Sequence, residues 1–272
     1  RKGGRNMKER YQHTIAASFI GYVVQSILVN FAPLLFLTFQ STYSISLDKI
    51  ALLVTANFGV QLLIDLLASR FVDKIGYRIP LVAAHLFAAL GLAGLAVLPE
   101  LLPDPYVGLV ISVMTYAVGG GLIEVLVSPL VEACPTKRKK AVMGLLHSFY
   151  CWGSLFVILV STGFFFFLGV SNWKILALAW AVVPLLNAVY CTRVPIRSLT
   201  EEAGGMGLRN LLRNKQFWVF ILFMICAGAC EQAVGQWASA FAESGLGGGS
   251  GRPLRFRPAY GPYPGILRPL LR

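Results

Sequence analysis

The sequence predicts an all-α membrane protein, and two observations carry that prediction. Apolar runs long enough to cross hydrocarbon as helices, about 20 residues each, follow one another along the chain. Basic residues collect in every second gap between them. Of the 272 residues 56% are hydrophobic and only 13% charged, too apolar for an ordinary soluble domain.

Seven spans are predicted: Ile15–Phe39, Ile50–Phe71, Ile79–Leu98, Tyr106–Val131, Ala141–Val170, Trp173–Cys191 and Phe217–Phe241. Arg1, Lys2, Arg5, Lys8 and Arg10 precede the first. The second gap holds Arg70, Lys74 and Arg78, the fourth Lys137 to Lys140, and the sixth Arg193, Arg197, Arg209, Arg213 and Lys215. The other gaps offer only Lys49 and Lys174, beside Asp48, Glu100 and Asp104. Lysine and arginine favour the cytoplasmic side, so the N-terminus is expected inside the cell. The formal charge of +12 is thereby a topology signal spread over loops, without the compact basic domain that nucleic-acid binding needs. The spans divide the chain into a six-helix bundle (1–192), a cytoplasmic connecting loop (193–216), a seventh span (217–243) and a Gly/Arg/Pro-rich tail (244–272).

The first apolar run is too long for a cleavable signal peptide. Five cysteines, Cys134, Cys151, Cys191, Cys226 and Cys230, lie in or beside spans, which argues against a disulfide framework. Cys226 and Cys230 sit one turn apart with no further Cys or His nearby, so they are read as packing residues and no metal or cofactor is expected. Met7 looks like a natural start, since Arg1 to Asn6 can be encoded by purine-rich codons resembling a bacterial ribosome-binding site. Past Gly245 the composition changes to Gly247-Gly248-Gly249-Ser250-Gly251 and then arginines among prolines. A frameshift that removed further helices is the expectation there, against a genuine flexible tail.

Ser69-Arg70-Phe71-Val72-Asp73-Lys74-Ile75-Gly76-Tyr77-Arg78 lies in the second gap. Gly76 permits a tight turn, and basic side chains there can meet the carbonyls at helix C-termini. Asp73, Lys74, Gly76 and Arg78 resemble the cytoplasmic signature of the major facilitator superfamily, with Ser69 in place of its first Gly and Tyr77 in place of one basic residue. The resemblance implies the major facilitator fold: twelve helices in two six-helix halves around a central cavity with alternating access. The chain would supply the N-terminal six-helix bundle plus one further helix, a truncated carrier, with Asp73, Lys74, Gly76 and Arg78 as a gating loop.

Ionisable groups at membrane depth are costly and mark function. Glu124 lies 13 residues before Lys137 and Glu231 16 after Lys215, which puts them about 20 Å and 24 Å from the basic end at 1.5 Å per residue. Both fall near the midplane. A carboxyl removed from water holds its proton more tightly, as proton coupling requires. Polar stripes accompany them: Tyr22, Ser26 and Asn30 beside Gln25 in the first span; Asn57, Gln61 and Asp65 in the second; His147, Tyr150, Cys151 and Ser154 with Trp152 close by in the fifth; Gln232, Gln236 and Trp237 in the seventh. Tyr116, Gly120 and Glu124 share a face of the fourth span, with the glycine leaving room beside the acid. Such groups also glue membrane helices together, and His85, alone on the third span, is read that way.

His147-Ser148-Phe149-Tyr150-Cys151-Trp152-Gly153-Ser154, with the acid of the fourth span, resembles the fucose–proton symporter-like branch. That resemblance implies a bacterial inner-membrane symporter, a monomer, moving a sugar or similar small polar solute with protons. Glu124 and Glu231 would be the proton-coupling acids; Tyr22, Gln25, Asn30, Asn57, Gln61, Tyr116, His147, Tyr150, Trp152, Gln232, Gln236 and Trp237 would bind the solute. Where branch members have an acid in the first span, this chain has Asn30. An exporter of the same fold and a non-transporting membrane sensor are the competing classes. No His-Glu-x-x-His pair or serine–base spacing points to an enzyme.

Overall fold

Hydrocarbon offers a backbone N–H no partner except a carbonyl of its own helix, and the described residues are helical almost throughout. The computed structural model describes residues 2–136, 138–196 and 208–247. The helices are α1 (Lys2–Asn30), α2 (Phe36–Tyr43), α3 (Leu47–Ile75), α4 (Arg78–Leu101), α5 (Pro105–Ala133), α6 (Lys139–Leu168), α7 (Trp173–Arg193), α8 (Leu208–Arg213) and α9 (Lys215–Gly247). Seven stretches are long and apolar enough to span a membrane, as the sequence predicts. The chain divides into two compact units, one running to Ser198 and the other from Leu199 to Leu254. The tail beyond residue 247, where a frameshift is expected, lies outside the described residues, as do 197–207 of the connecting loop.

The first span differs from its prediction. It covers Tyr11–Tyr43 and is not one helix. Pro33 lacks an N–H and its ring crowds the preceding turn, so α1 stops at Asn30 and a 3-10 turn, Ala32–Leu35, leads into α2. Helix ends elsewhere follow local chemistry. Ser46 and Asp104 accept the backbone N–H groups of Lys49 and Tyr106, capping α3 and α5. Gly76 closes α3 at φ +83°, a left-handed backbone that glycine adopts without strain, and donates its N–H to Val72 O at 2.8 Å.

Small residues set the closest packing. A Cβ on Gly119 would stand 2.5 Å from Ala84 O, and one on Gly108 would stand 2.6 Å from the carbonyl of Leu98. Gly91 leaves no room for one against Tyr116. The α4–α5 seam is therefore built on backbone contact, the usual means of close approach in membranes. α7 is pinned to α4 and α1 by polar groups. His85 is fully buried; its Nδ1 lies 2.8 Å from Leu81 O and its Nε2 2.7 Å from Asn187 Nδ2, which also donates to Ala17 O at 3.1 Å. His85 thus glues helices together, as the sequence reading expects, and its partner comes from α7, 102 residues later.

At the basic end, the Arg78 guanidinium donates to Thr192 O and, at 2.9 Å, to Val194 O, with Cys191 O at 3.5 Å. It satisfies carbonyls that the C-terminus of α7 leaves open. Thr14 Oγ1 donates to Pro195 O at 2.5 Å, and His13 bonds Tyr190 at 2.7 Å. The side chains of Asp73 and Lys74 lie outside the described ones. Burial pushes the Cys134 thiol up to about 11, against a smaller opposite pull from Lys139. At the other end Lys174 pairs with Glu100, and Lys49 stands over the Tyr106 ring at 5.1 Å while its carbonyl accepts the Tyr106 hydroxyl.

Two outcomes test this packing. Gly119→Ala pushes a methyl into the Ala84 backbone and should lower the melting temperature of the purified protein by an overpacking cost of about 1–3 kcal/mol, whereas Gly163→Ala, with open space around it, should not. Arg78→Gln should destabilise by about 1 kcal/mol through the loss of charge-assisted bonds to α7; the same thermal melt reads it.

Candidate functional site

α1 holds the centre of the site because three helices take up its polar groups. Toward α6, Ser26 Oγ donates to Tyr150 O at 2.9 Å, and Asn30 Nδ2 donates to Ser154 Oγ at 3.0 Å and Ser26 O at 2.8 Å. The Tyr22 ring lies 5.7 Å from His147 and 6.3 Å from Tyr150. Gly153 permits this approach, since a Cβ there would stand 2.7 Å from Ser26 Oγ. Tyr22, Ser26 and Asn30 thereby meet His147, Tyr150 and Ser154 along one seam.

Toward α3, the amide of Gln25 donates to Gln61 Oε1 at 3.5 Å, and Gln61 Nε2 donates to Asn57 Oδ1 at 3.3 Å. All three amides are buried. Gly120 of α5 lies under them: a Cβ there would be 3.1 Å from Gln25 Oε1 and 3.5 Å from Gln61. The room that glycine leaves is therefore filled by amides rather than kept open for the acid. Toward α5, the Tyr22 hydroxyl bonds Ser128 Oγ at 2.8 Å.

Glu124 is exposed, on the same side of α5 as Gly120 one turn earlier. Its charge reaches both Tyr22 of α1 and Asp65 of α3. Asp65 completes the Asn57, Gln61, Asp65 stripe, and the packing of α3 on α5 brings it within reach of the Glu124 charge. Ser128 went unnoticed; its position one turn past Glu124 was the available signal.

Other predicted residues are placed elsewhere. Tyr116 is 3% exposed and packs by its backbone and Cβ on Gly91, in the α4–α5 seam. Trp152 is 68% exposed. Two residues along a helix are about 200° apart, so it points away from Ser154 and shares an apolar face with Leu145, Phe156 and Leu159. Glu231, Gln232, Gln236 and Trp237 belong to α9 in the second unit, where Gln236 Nε2 donates to Gln232 Oε1 at 3.5 Å. Among the described residues, no three His, Cys, Asp or Glu side chains gather where they could hold a metal ion.

The arrangement can do two things chemically. Amide and hydroxyl groups beside aromatic rings can bond and stack on a small polar solute, and a solvent-accessible carboxyl beside them can take up and release a proton. No curated protein and no solved structure matches the chain. The family model described as Major Facilitator Superfamily matches residues 14–262. With its seven apolar spans and a match over most of its length, the chain belongs to the major facilitator superfamily, whose members transport solutes across membranes.

Proposed function

We propose that this chain is part of a proton-coupled symporter for a sugar or related small polar metabolite. It would sit in a bacterial inner membrane with its N-terminus in the cytoplasm and act as a monomer by alternating access. One observation carries the reading: Glu124 stands exposed within electrostatic reach of Tyr22, on the helix whose polar face meets His147, Tyr150 and Ser154. A proton acceptor next to solute-binding groups is what coupling requires, since proton and solute then bias the same conformational change.

Each side chain has a role on this reading. Tyr22, His147 and Tyr150 offer flat faces and hydroxyl or imidazole groups to the solute. Gln25, Asn30, Asn57 and Gln61 hold the helices that carry them and offer amides where their bonds can be exchanged. Glu124 carries the proton; in the second unit, Glu231 is proposed as a proton-coupling acid of α9, with Gln232, Gln236 and Trp237 as solute-binding groups of that helix. Tyr116 and Trp152 support rather than touch the solute. Asp73, Lys74, Gly76 and Arg78 form the gating loop, with Arg78 gripping the end of α7 in the state seen here.

The test is uptake of radiolabelled hexoses and deoxyhexoses into proteoliposomes made with the full-length carrier, driven by an inward proton gradient. Accumulation should collapse with a protonophore. Glu124→Gln should lower gradient-driven accumulation at least about tenfold, the loss of 1.4 kcal/mol of coupling, while keeping solute exchange at equal pH. Undiminished accumulation in that variant would remove Glu124 from the mechanism, and proton-driven efflux in place of uptake would make the protein an exporter.

A further inference from the structure

We propose that Asp65 and Glu124 work as one carboxyl pair that shares a proton, so that Asp65 is a second coupling group. This pairing presupposes Glu124 as the coupling acid. The register of α3 on α5 brings the two together. Lys49 at the start of α3 meets Tyr106 at the start of α5. Further along, Gln61 meets Gly120 and Gly121, and Ile64 meets Gly121. The helices therefore run side by side in the same direction, and one turn beyond Gln61 and Gly120 come Asp65 and Glu124. Asp65 feels the charge of Glu124 at that level.

Among the described residues, two of the buried oxygens without a hydrogen-bond partner lie on α3 and α1 at the pair. Asp65 Oδ1 is one, and Gln25 Oε1 is the other, on a side chain 5% exposed and set against Gly120, a turn from Glu124. Buried acceptors left without a donor are costly. The sequence places no lysine or arginine midway along the spans that frame the pair. On α1, Tyr22 has its hydroxyl on Ser128, and Gln25 gives its amide to Gln61. On α6, His147 and Tyr150 have their rings 5.7 Å and 6.3 Å from that of Tyr22. α3 carries no cation between Lys49 and Arg70, α5 carries none at all, and α1 has none after Arg10. A proton that adds to a carboxylate oxygen of the exposed Glu124 supplies a further O–H at the site. The new carboxylic O–H can donate to the acceptors of the pair, and release to water restores the carboxylate; no other bond changes. Like charges set close together titrate as one coupled system rather than as two residues.

Infrared spectroscopy of the purified 272-residue chain in lipid nanodiscs tests the pairing without any solute. The protonated-carboxyl C=O band is followed from pH 4 to 9, a range of about one pair titration, in the parent chain, Asp65→Asn and Glu124→Gln. Removing either carboxyl should move the titration midpoint of the other by about one pH unit or more, and linkage requires the two shifts to be equal. Midpoints that stay within about 0.3 unit overturn the pair. So does a carboxylate band that responds to added sodium chloride but not to choline chloride at constant pH, because a metal ion and not a proton then fills the site. Thermal melts verify folding of each variant, and Asp65→Ser replaces Asp65→Asn where the latter fails to fold. Lost symport in Glu124→Gln with an unmoved Asp65 midpoint would sink the pair and leave Glu124 as the coupling acid.

Discussion

A polar group inside hydrocarbon has no water to bond, and every interhelical contact of this bundle answers to that constraint. The backbone meets it by staying helical. The side chains meet it by finding partners on other helices, as Asn30 does on α6, Gln25 on α3, Tyr22 on α5 and Asn187 on α4 and α1. α1 takes part in all of these contacts or lies beside them. Its polar groups turn to α3, α5 and α6, and the break at Pro33 ends it just past the last of them.

The same constraint separates two kinds of helix contact. Where α4 meets α5, glycines bring backbones together and the seam is apolar and closed. Where α1 meets α3 and α6, amides, hydroxyls and rings do the joining, and these bonds can be exchanged for bonds to a solute or a proton. A rigid seam beside an adaptable one is what a carrier needs: one surface that keeps its shape and another whose partners can change.

Much of the fold was legible in the chain because membrane depth imposes a length and a polarity on each span. The spans, the turn at Gly76 and the polar stripes of α1 and α6 follow from periodicity and turn chemistry. The details that went astray are those of azimuth. Trp152 was grouped with Ser154 by nearness in sequence, although the helix turns them apart. Tyr116 shares a helical stripe with Glu124, yet its backbone and Cβ pack on Gly91 of α4, while Gly120 one turn on meets Gln25 and Gln61. That His85 glues helices together is legible in the sequence; that Asn187 is its partner is not, because Asn187 lies far along the chain.

The sequence alone determined that the protein spans a membrane, how many times its described part can do so, and which side chains are too polar to lie there without a purpose. Those properties depend on composition and spacing, which a linear chain displays. Which polar groups satisfy one another was decided by tertiary structure: that Gln25 turns to α3 while Ser26 turns to α6, and that Asp65 comes level with Glu124. Those pairings depend on helix rotation and register, and these are fixed by where glycines let one helix close on the next.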